Sequence, residues 1–469
     1  MTEIGNLIDP LPVAGRRKVV LLATVEDREI YVPLSILTLA SILHDRGFDT
    51  ELIDVQVDRD WEPMLEAALP ESLLLGVTCL TSPSIRHVLK ARQIARRTSN
   101  EVPIVWGGYH ATLAYQAILR EGLADYVVRG QGEYALLGLC RALTQSASRT
   151  QLWSRLSGVR NLAYRQEDSL RVNPLERIAD MNALPRLNYD LLNVQKYIQG
   201  DRLELSYISS YGCPYACTFC SEPTFSGRRW QPLKPTRVVE ELIDLNERFE
   251  PSIVNMMDPN FSTHPKRVVE IVRLFLEREK SVSVLCDMRA RDIVRIARDL
   301  DLADMRRAGI RKIYIGAESG SDRMLKRLRK SQQADDTLQA CRLLDAEGIY
   351  SYTSFIHDLP GETEEDSRRT LELAEQLCAL KHNRQFHHFF TPFPSTEIYD
   401  SIVEDSESEW TGRSQSDWAR SSTFHGNDFW QGRFKFRKSV LRALLRLRDD
   451  YPGTFQPPST LPLLKRLMA

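Results

Sequence analysis

Short apolar runs rich in β-branched residues alternate with helical patterns over the first part of the chain, residues 18–140. Such alternation predicts a parallel sheet with helices on both faces, because the chain must cross back between parallel strands, usually as a helix. We therefore predict an α/β fold that opens with a doubly wound, Rossmann-like domain at 18–147, after a flexible arm at 1–17. The five strand candidates are KVVLLAT, TELIDV, LLLGVTCLT, PIVWGG and DYVVRGQGE.

The alternation resumes at residue 204 and supplies six further strand candidates. A closed (β/α) barrel needs eight strands, so six predict a partial (β/α)6 barrel, open on one side, over residues 204–399. The less regular residues 148–203 are interpreted as a connector between the two domains. The six candidates are LELSYIS, SIVNMM, VSVLCD, RKIYIG, YSYTSFI and RQFHHFF.

Residues 400–469 break this alternation and are interpreted as a small, mostly helical C-terminal region that contains an aromatic cluster. We interpret the cluster as a satellite hydrophobic core, and the alternative is a lid over the mouth of the barrel. Its members are Trp410, Trp418, Phe424, Phe429 and Trp430.

Net charge, apolar runs and cysteine usage limit the partners and the compartment that we expect for this protein. A formal net charge of -1 gives no global attraction to nucleic acid or to an anionic membrane, so we expect neither as a partner. The sequence has no run of eighteen apolar residues and no apolar signal core at its start, so we expect a cytoplasmic protein. Eight cysteines in 469 residues do not form a disulfide scaffold and fit a reducing compartment.

Three of the eight cysteines fall within one short segment, SYGCPYACTFCSEP, directly after the first strand candidate of the barrel. Thiolates are the ligands of iron–sulfur clusters, and three of them would fill three corners of a cubane and leave one iron open. Zinc is the alternative, but a closed zinc site needs a fourth ligand nearby. The nearest histidine, His264, lies more than forty residues further on. The segment therefore predicts a cluster held by Cys213, Cys217 and Cys220.

Small and polar residues follow three strand candidates of the first domain. Ligands of doubly wound sheets bind beyond the carboxyl ends of the strands, where glycine lets them approach the backbone closely. These residues therefore predict a binding rim, and the alternative is a set of ordinary turn glycines. The candidates are Thr78, Thr81, Ser82, Gly107, Gly108, His110, Gly130, Gly132 and Glu133.

The C-x3-C-x2-C spacing, with Phe219 just before the last cysteine, resembles the signature of the radical S-adenosylmethionine (SAM) superfamily. The resemblance implies a [4Fe-4S] cluster whose open iron binds the amino and carboxylate groups of SAM. One electron, from a donor such as flavodoxin or ferredoxin, then cleaves SAM to a 5′-deoxyadenosyl radical. That radical abstracts a hydrogen atom from a small-molecule substrate.

Further segments resemble strand ends of the same family: MMDPNFS, CDMRA, IGAESGS, HDLPGETEED and FTPFPSTEIY. The resemblance implies that Arg289 binds the SAM carboxylate and Glu318 the amino group or ribose; the alternative is an Arg289–Glu318 ion pair. Asp287 is a candidate substrate ligand or proton carrier. His387 and His388 are expected on opposite faces of one strand. The implied SAM contacts are Phe219, Asp258, Asn260, Arg289, Glu318 and Ser319, of which Asp258 and Asn260 have helix capping as their alternative.

The first domain resembles the cobalamin-binding class of this superfamily, most closely over WGGYHATLAYQAILREGLADYVVRGQGE. Two features depart from that class or from other cobalamin proteins: Ser35 stands where glycine is usual, and the D-x-H-x-x-G loop is absent. The resemblance implies cobalamin-dependent methyl transfer to a carbon of a biosynthetic small molecule. The alternative is a cobalamin-independent lyase that dehydrates, deoxygenates or rearranges a sugar or aminoglycoside-type substrate, like a diol dehydratase.

Two other functions are ranked lower. Methylthio transfer to tRNA would need a second set of three cysteines near the N-terminus, but only Cys79 and Cys140 precede the loop. A binding module that uses its cluster as a sensor would not need residues that resemble SAM contacts.

Overall fold

The computed structural model describes residues 17–25, 30–81, 84–390, 393–403, 414–415, 417, 438–451 and 453–454. The chain divides into two compact units. The first comprises Met1–Asp201 and Ser406–Ser421, and the second comprises Arg202–Asp405 and Ser422–Ala469. Within the described residues, no helix combines the length and the apolar character needed to cross a membrane.

The first unit is built on a seven-stranded sheet with strand order β2-β1-β3-β4-β5-β6-β7. Its first five strands are parallel, as the alternation predicts, and β3 is buried along its whole length. The strands are β1 (Lys18–Ala23), β2 (Asp49–Asp54), β3 (Ser72–Thr78), β4 (Ile104–Gly107), β5 (Tyr126–Val128), β6 (Leu162–Gln166) and β7 (Ser169–Val172). The doubly wound α/β fold is confirmed.

Six helices accompany this sheet: α1 (Leu34–Asp45), α2 (Trp61–Ala68), α3 (Ser84–Thr98), α4 (Gly108–Arg120), α5 (Glu133–Gln145) and α6 (Arg149–Leu156). The interval interpreted as a connector contributes α6 and the antiparallel strands β6 and β7 to the first unit. Three 3-10 turns follow, at Met181–Ala183, Tyr189–Leu191 and Val194–Tyr197, and then the two-residue strand β8 (Ile198–Gln199). Part of the segment 148–203 therefore extends the sheet of the first unit instead of serving only as a connector.

The parallel strands of the second unit follow the order β16-β15-β14-β13-β12-β9. Over the described residues no pairing joins β16 to β9, so the predicted partial barrel stays open. A short antiparallel pair, β10 with β11, lies outside this sheet. The strands are β9 (Arg202–Tyr207), β10 (Ser210–Tyr211), β11 (Gln231–Pro232), β12 (Ile253–Met256), β13 (Val284–Asp287), β14 (Ile310–Glu318), β15 (Tyr350–His357) and β16 (Asn383–Phe389).

Several helices of the second unit begin at residues that favour a helix start. Proline opens α8 and α9, where the missing N–H costs no hydrogen bond, and a capping box of Thr363 and Asp366 opens α14. The helices are α7 (Glu222–Ser226), α8 (Pro235–Phe249), α9 (Pro265–Glu277), α10 (Ala290–Asp299), α11 (Leu302–Ala308), α12 (Asp322–Arg327), α13 (Ala334–Ala346), α14 (Glu364–Cys378), α15 (Glu397–Val403) and α16 (Lys438–Asp450).

Two interpretations from the sequence fall outside the described residues. The aromatic residues of the C-terminal region, Trp410, Trp418, Phe424, Phe429 and Trp430, are among them, so the choice between satellite core and lid stays a prediction. The same holds for nearly all of the arm at 1–17.

Candidate radical SAM site

The three clustered cysteines lie on the loop that follows β10, as half-buried free thiols. Burial raises the pKa of each thiol, to about 12 for Cys220. The charge of Cys217 further raises the pKa of both Cys213 and Cys220, so ionising one thiol opposes ionising the next. Three thiols on one short loop are the donor set that an iron–sulfur cluster uses.

The donor chemistry of this loop fits an iron–sulfur cluster. Among the described residues, no three His, Cys, Asp or Glu side chains converge on a point as the ligands of a single metal ion would. The cysteine ligands of a cubane lie further apart than the ligands of a single ion, because each cysteine binds a different iron. The role of Cys213, Cys217 and Cys220 as ligands stays a prediction.

The cysteine loop is fixed to the rest of the second unit by its backbone. Thr218 N donates to Leu328 O at 3.1 Å, and Thr218 O accepts from Ile398 N at 3.2 Å. Phe219 packs against a buried apolar group of Met324, Leu328, Leu359 and Phe390. The phenyl ring of Phe219 therefore anchors the loop through its apolar face.

Asp258, just beyond β12, is buried and supports the start of the cysteine loop. Its carboxylate accepts hydrogen bonds from Ser209 N at 3.0 Å and Ser209 Oγ at 2.8 Å, and from Ser210 Oγ. Burial raises the pKa of Asp258, while the positive charge of Arg267 lowers it. Asp258 therefore positions the segment that leads into the loop.

Asn260 lies two residues further on, and its Oδ1 accepts from Ser262 N at 3.2 Å and Ser262 Oγ at 2.8 Å. The buried Asn260 Nδ2 has no hydrogen-bond partner in the part of the chain that the structure describes. The capping alternative is wrong for Asp258 and Asn260, because α9 has His264 at its N-cap.

Arg289 follows β13 and is held by backbone carbonyl groups. Its Nη2 donates to Lys330 O at 3.1 Å and Ser331 O at 2.6 Å, and its guanidinium lies 3.7 Å from the ring centre of Tyr215 in the cysteine loop. Arg289 Nη1 is 3.6 Å from Asp292 Oδ2. The ion pair between Arg289 and Glu318 that formed the alternative interpretation is not present among these contacts.

Glu318 pairs instead with Lys330, a residue that the sequence analysis did not single out. Glu318 Oε1 lies 2.7 Å from Lys330 Nζ, and both side chains are largely buried. Burial lowers the pKa of Lys330, but Glu318 and Cys217 outweigh that effect and raise it overall. Glu318 itself has a left-handed backbone at φ 60°, which is rare for a residue other than glycine and is concentrated at functional sites.

Lys330 gave little signal in the sequence because it ends a basic run, KRLRK, that is typical of a solvated helix face. The fold brings its ammonium group toward the cysteines, lowering the pKa of Cys217, and places it 5.8 Å from the ring centre of Phe219. Ser319, in contrast, is fully buried, and its hydroxyl pairs with Thr370 Oγ1 at 3.0 Å. Ser319 therefore contributes packing behind the strand end.

Asp287, the last residue of β13, is open to solvent and yet has a pKa raised to about 7. The surrounding protein is the main cause, followed by the charge of Asp258, while Lys330 lowers the pKa. The carboxyl group therefore lies at an exposed strand end with the buried Asp258 and Lys330 among the charges that affect it. Because this pKa lies near neutrality, Asp287 can hold or release a proton at physiological pH.

The two neighbouring histidines of β16 lie on opposite sides of the sheet. His387 is buried, and its Nδ1 lies 2.8 Å from Nε2 of His357 on β15. His388 is exposed on the other face. A surface depression of about 370 Å³ on α13 contains none of the predicted site residues.

In the first unit, the predicted rim lies at the carboxyl ends of β3, β4 and β5. Added Cβ atoms would meet nothing closer than 4.0 Å at Gly107 and nothing within 4 Å at Gly130. Gly108 has φ 90°, and a Cβ there would lie 3.0 Å from Thr78 Oγ1, so only glycine fits the turn. The open glycine backbone at Gly107 and Gly130 fits the close approach of a large ligand such as cobalamin.

His110 and Glu133 do not extend this open edge, because both are buried. His110 Nδ1 lies 2.9 Å from Thr81 Oγ1 and Nε2 lies 2.5 Å from Gln415 Oε1, and burial lowers the His110 pKa to about 4. The expectation of His110 on an accessible rim is therefore wrong: the imidazole is neutral and both its nitrogens are engaged. Ser82 lies outside the described residues, and Gly132 lies at the N-cap of α5.

Comparisons with known proteins find one family match within each of the two units. Residues 207–374 match the model of the Radical SAM superfamily, and residues 19–139 match that of the B12 binding domain. An uncharacterized methyltransferase of Pyrococcus horikoshii is 27% identical over 380 residues, which cover 79% of this chain and 78% of the relative. The anaerobic magnesium-protoporphyrin IX monomethyl ester cyclase of Synechocystis sp. is 26% identical over 400 residues, covering 83% and 77%.

Among solved structures, the radical SAM methyltransferase TsrM from Kitasatospora setae, with cobalamin and a [4Fe-4S] cluster bound, is similar with a TM-score of 0.72 and 19% identity. The match covers 96% of this chain and 95% of that protein, and it shows a shared fold. The chain is therefore a radical SAM enzyme with a B12-binding domain ahead of its radical SAM domain.

Proposed function

We propose that this enzyme cleaves SAM at a [4Fe-4S] cluster and transfers a methyl group, with the help of cobalamin, to a carbon atom of a biosynthetic small molecule. The observation that carries the proposal is the gathering in the second unit of three half-buried thiols on one loop, Arg289 and the Glu318–Lys330 pair. A methyltransferase relative and the fold of TsrM support the methyl-transfer class.

When bound, the cluster and SAM supply a carbon radical, and cobalamin supplies a carrier for the methyl group. Cys213, Cys217 and Cys220 hold the cluster, because three sulfur donors on one loop match its ligand requirement. Lys330 offsets the negative charge that three thiolates bring into a partly buried site. Phe219 keeps the loop against the apolar core of the second unit.

Arg289 and Glu318 are the chain's groups for the polar end of SAM. The buried Arg289 Nε has no hydrogen-bond partner in the described part of the chain, whereas Nη2 is held by two carbonyl groups. This arrangement fixes the guanidinium plane and leaves a donor for a carboxylate. The carboxylate of Glu318 accepts from an ammonium group, as its contact with Lys330 shows.

The substrate and the partners follow from the same reasoning. The near-zero net charge gives no general attraction to nucleic acid or membrane, which supports a small molecule as the substrate. The eight cysteines, which do not form a disulfide scaffold, support a cytoplasmic location. The electron comes from a reduced carrier such as flavodoxin or ferredoxin. Asp287, at the exposed end of β13, holds or releases a proton of the substrate.

Cysteine replacement tests the proposal. We expect Cys213→Ala, Cys217→Ala and Cys220→Ala to abolish formation of 5′-deoxyadenosine under anaerobic, reducing conditions while the protein stays folded. Cys378→Ala, which changes a buried free thiol outside the loop, is the matched control and should retain cleavage. Wild-type cleavage by any of the three loop variants would contradict the proposal.

The same preparations separate methyl transfer from the cobalamin-independent alternative. Wild-type protein reconstituted with cobalamin should retain about one cobalt per chain after gel filtration and form S-adenosylhomocysteine alongside 5′-deoxyadenosine. Cleavage of SAM with no retained cobalt and no S-adenosylhomocysteine would favour a radical dehydration or rearrangement instead.

A further inference from the structure

One face of the second unit's sheet carries a group of aromatic rings that are not among the predicted SAM contacts. Tyr314 of β14 is the register partner of Tyr352 on β15, and Ser354 of β15 is the partner of Phe386 on β16. Register partners and residues two apart point to the same side of a parallel sheet. Tyr314, Tyr352, Phe386 and His388 therefore share one face, and we name them the aromatic panel.

The rings of the aromatic panel are close together and partly open to solvent. The Tyr314 ring centre lies 5.0 Å from that of Tyr352 and 5.7 Å from that of Phe386. Phe386 and His388 are parallel within 5°, at 6.3 Å. The first three side chains are half-buried and His388 is exposed. The panel thus presents connected aromatic surface to a space outside the sheet.

The opposite face of the same strands is sealed by helices. Ile313, Ile315, Thr353, Gln385 and His387 are all buried there. Gln385 Nε2 donates to Ala374 O on α14 at 2.8 Å, which places this face against the helix layer. The aromatic residues on the panel side therefore do not form the helix-packed core.

The panel lies on the same face as the site described above. Asp287 is the register partner of Tyr314, so it stands next to the panel on the neighbouring strand. Arg384 on β16 is the register partner of Tyr352, so it belongs to the same face, and it is half-buried. Its Nη1 donates to Lys381 O at 3.2 Å and to Asn383 O at 2.7 Å. Its guanidinium lies 5.3 Å from the ring centre of Tyr350. A cation and a carboxyl group therefore flank the rings on β16 and β13.

We propose that the aromatic panel binds the flat face of a conjugated ring system in the substrate, with an acidic substituent directed toward Arg384. Flat π surfaces stack or meet edge to face with aromatic side chains, and a guanidinium pairs with a carboxylate. This inference rests on the proposed function, because it assigns the substrate class of that same site. It also gives Asp287 a place beside the substrate ring.

Equilibrium binding of small probes to the anaerobically reconstituted full chain tests this inference. We expect indole-3-acetate to bind at least about tenfold more tightly than its saturated counterpart cyclohexylacetate, and more tightly than glucose 6-phosphate. Dissociation constants from titration calorimetry or saturation-transfer NMR give the comparison. Equal affinity for the saturated probe, preference for the sugar phosphate, or no binding of indole-3-acetate would overturn the proposal.

Variants locate the probe on the panel. Phe386→Leu and Tyr352→Leu should each weaken indole-3-acetate binding about tenfold, whereas Tyr352→Phe should retain it. Phe249→Leu, at the end of α8 away from these strands, is the matched control. Arg384→Gln should weaken indole-3-acetate and leave the neutral indole-3-acetamide unchanged. Unaltered binding in both leucine variants would refute the panel as the site.

The outcome is separable from that of the proposed function. The cysteine variants lack the loop thiols but keep the panel, so they should still bind indole-3-acetate when they no longer cleave SAM. Loss of probe binding in the panel variants, with probe binding kept in the cysteine variants, would support the substrate class independently of SAM cleavage. Loss of probe binding in the cysteine variants would contradict a binding site on the panel.

Discussion

At the scale of single residues, the pair of Glu318 and Lys330 connects the strand end to the cysteine loop. Glu318 Oε1 lies 2.7 Å from Lys330 Nζ, and both side chains are largely buried. The positive charge of Lys330 also lowers the pKa of Cys217. A buried ion pair stabilises only while both partners are present, because removing one leaves a charge without its partner. Glu318, one member of this pair, also has a left-handed backbone conformation.

Replacing Lys330 with methionine should destabilise the second unit by about 3 kcal/mol, because Glu318 would stay buried without a cation. The double variant Lys330→Met/Glu318→Gln should regain most of that loss while still binding SAM weakly. Thermal unfolding and SAM titration measure the two effects.

Lys280→Met is the control for this cycle, since its pair with Glu247 is exposed and should cost less than about 1 kcal/mol. A double variant as unstable as Lys330→Met alone would show that the loss comes from something other than the unpaired carboxylate.

Residue-level reasoning from sequence singled out the cysteine loop and Arg289, Glu318 and Asp287, because each lies in a distinctive motif at the end of a strand, and their roles stay predictions. Lys330 was missed because only the fold brings it to Glu318. His110 was misplaced because the GGxH turn looks exposed in sequence, whereas Gln415, far along the chain, closes over its imidazole.

At the scale of elements, the main parallel strands of both sheets were predictable because they are short segments rich in apolar, aromatic and β-branched residues that alternate with helical patterns. The pair β6 and β7 was not, since its turn carries Glu167 at φ 54° where asparagine or glycine is the usual signal. The cysteine loop depends on a similar local feature. Gly212, just before Cys213, has φ 80°, and a Cβ there would lie 1.9 Å from Arg229 O.

Gly212→Ala should therefore displace the start of the cysteine loop and lower the iron and sulfide bound per chain after reconstitution. Gly200→Ala is matched to it, because Gly200 also has positive φ, at 64°, but nothing within 4 Å of an added Cβ. It should show only the backbone strain of about 1 kcal/mol. Equal iron content in the two variants would rule out the steric requirement at Gly212.

At the scale of the whole molecule, the chain divides into two units, and the predicted site residues of each follow parallel strands of its sheet. Fold class and superfamily were readable from the sequence, since the motifs lie where the strand pattern places sheet edges. The substrate class was not readable, because Tyr314, Tyr352 and Phe386 come together only through strand register.

Electron paramagnetic resonance of the reduced, reconstituted protein, with and without SAM, tests the central claim most directly. We predict a [4Fe-4S] signal that shifts when SAM is added, because a cluster held by Cys213, Cys217 and Cys220 alone would have one open iron for SAM, and no such signal in Cys217→Ala. A wild-type spectrum that SAM leaves unchanged, or zinc in place of iron, would contradict the account.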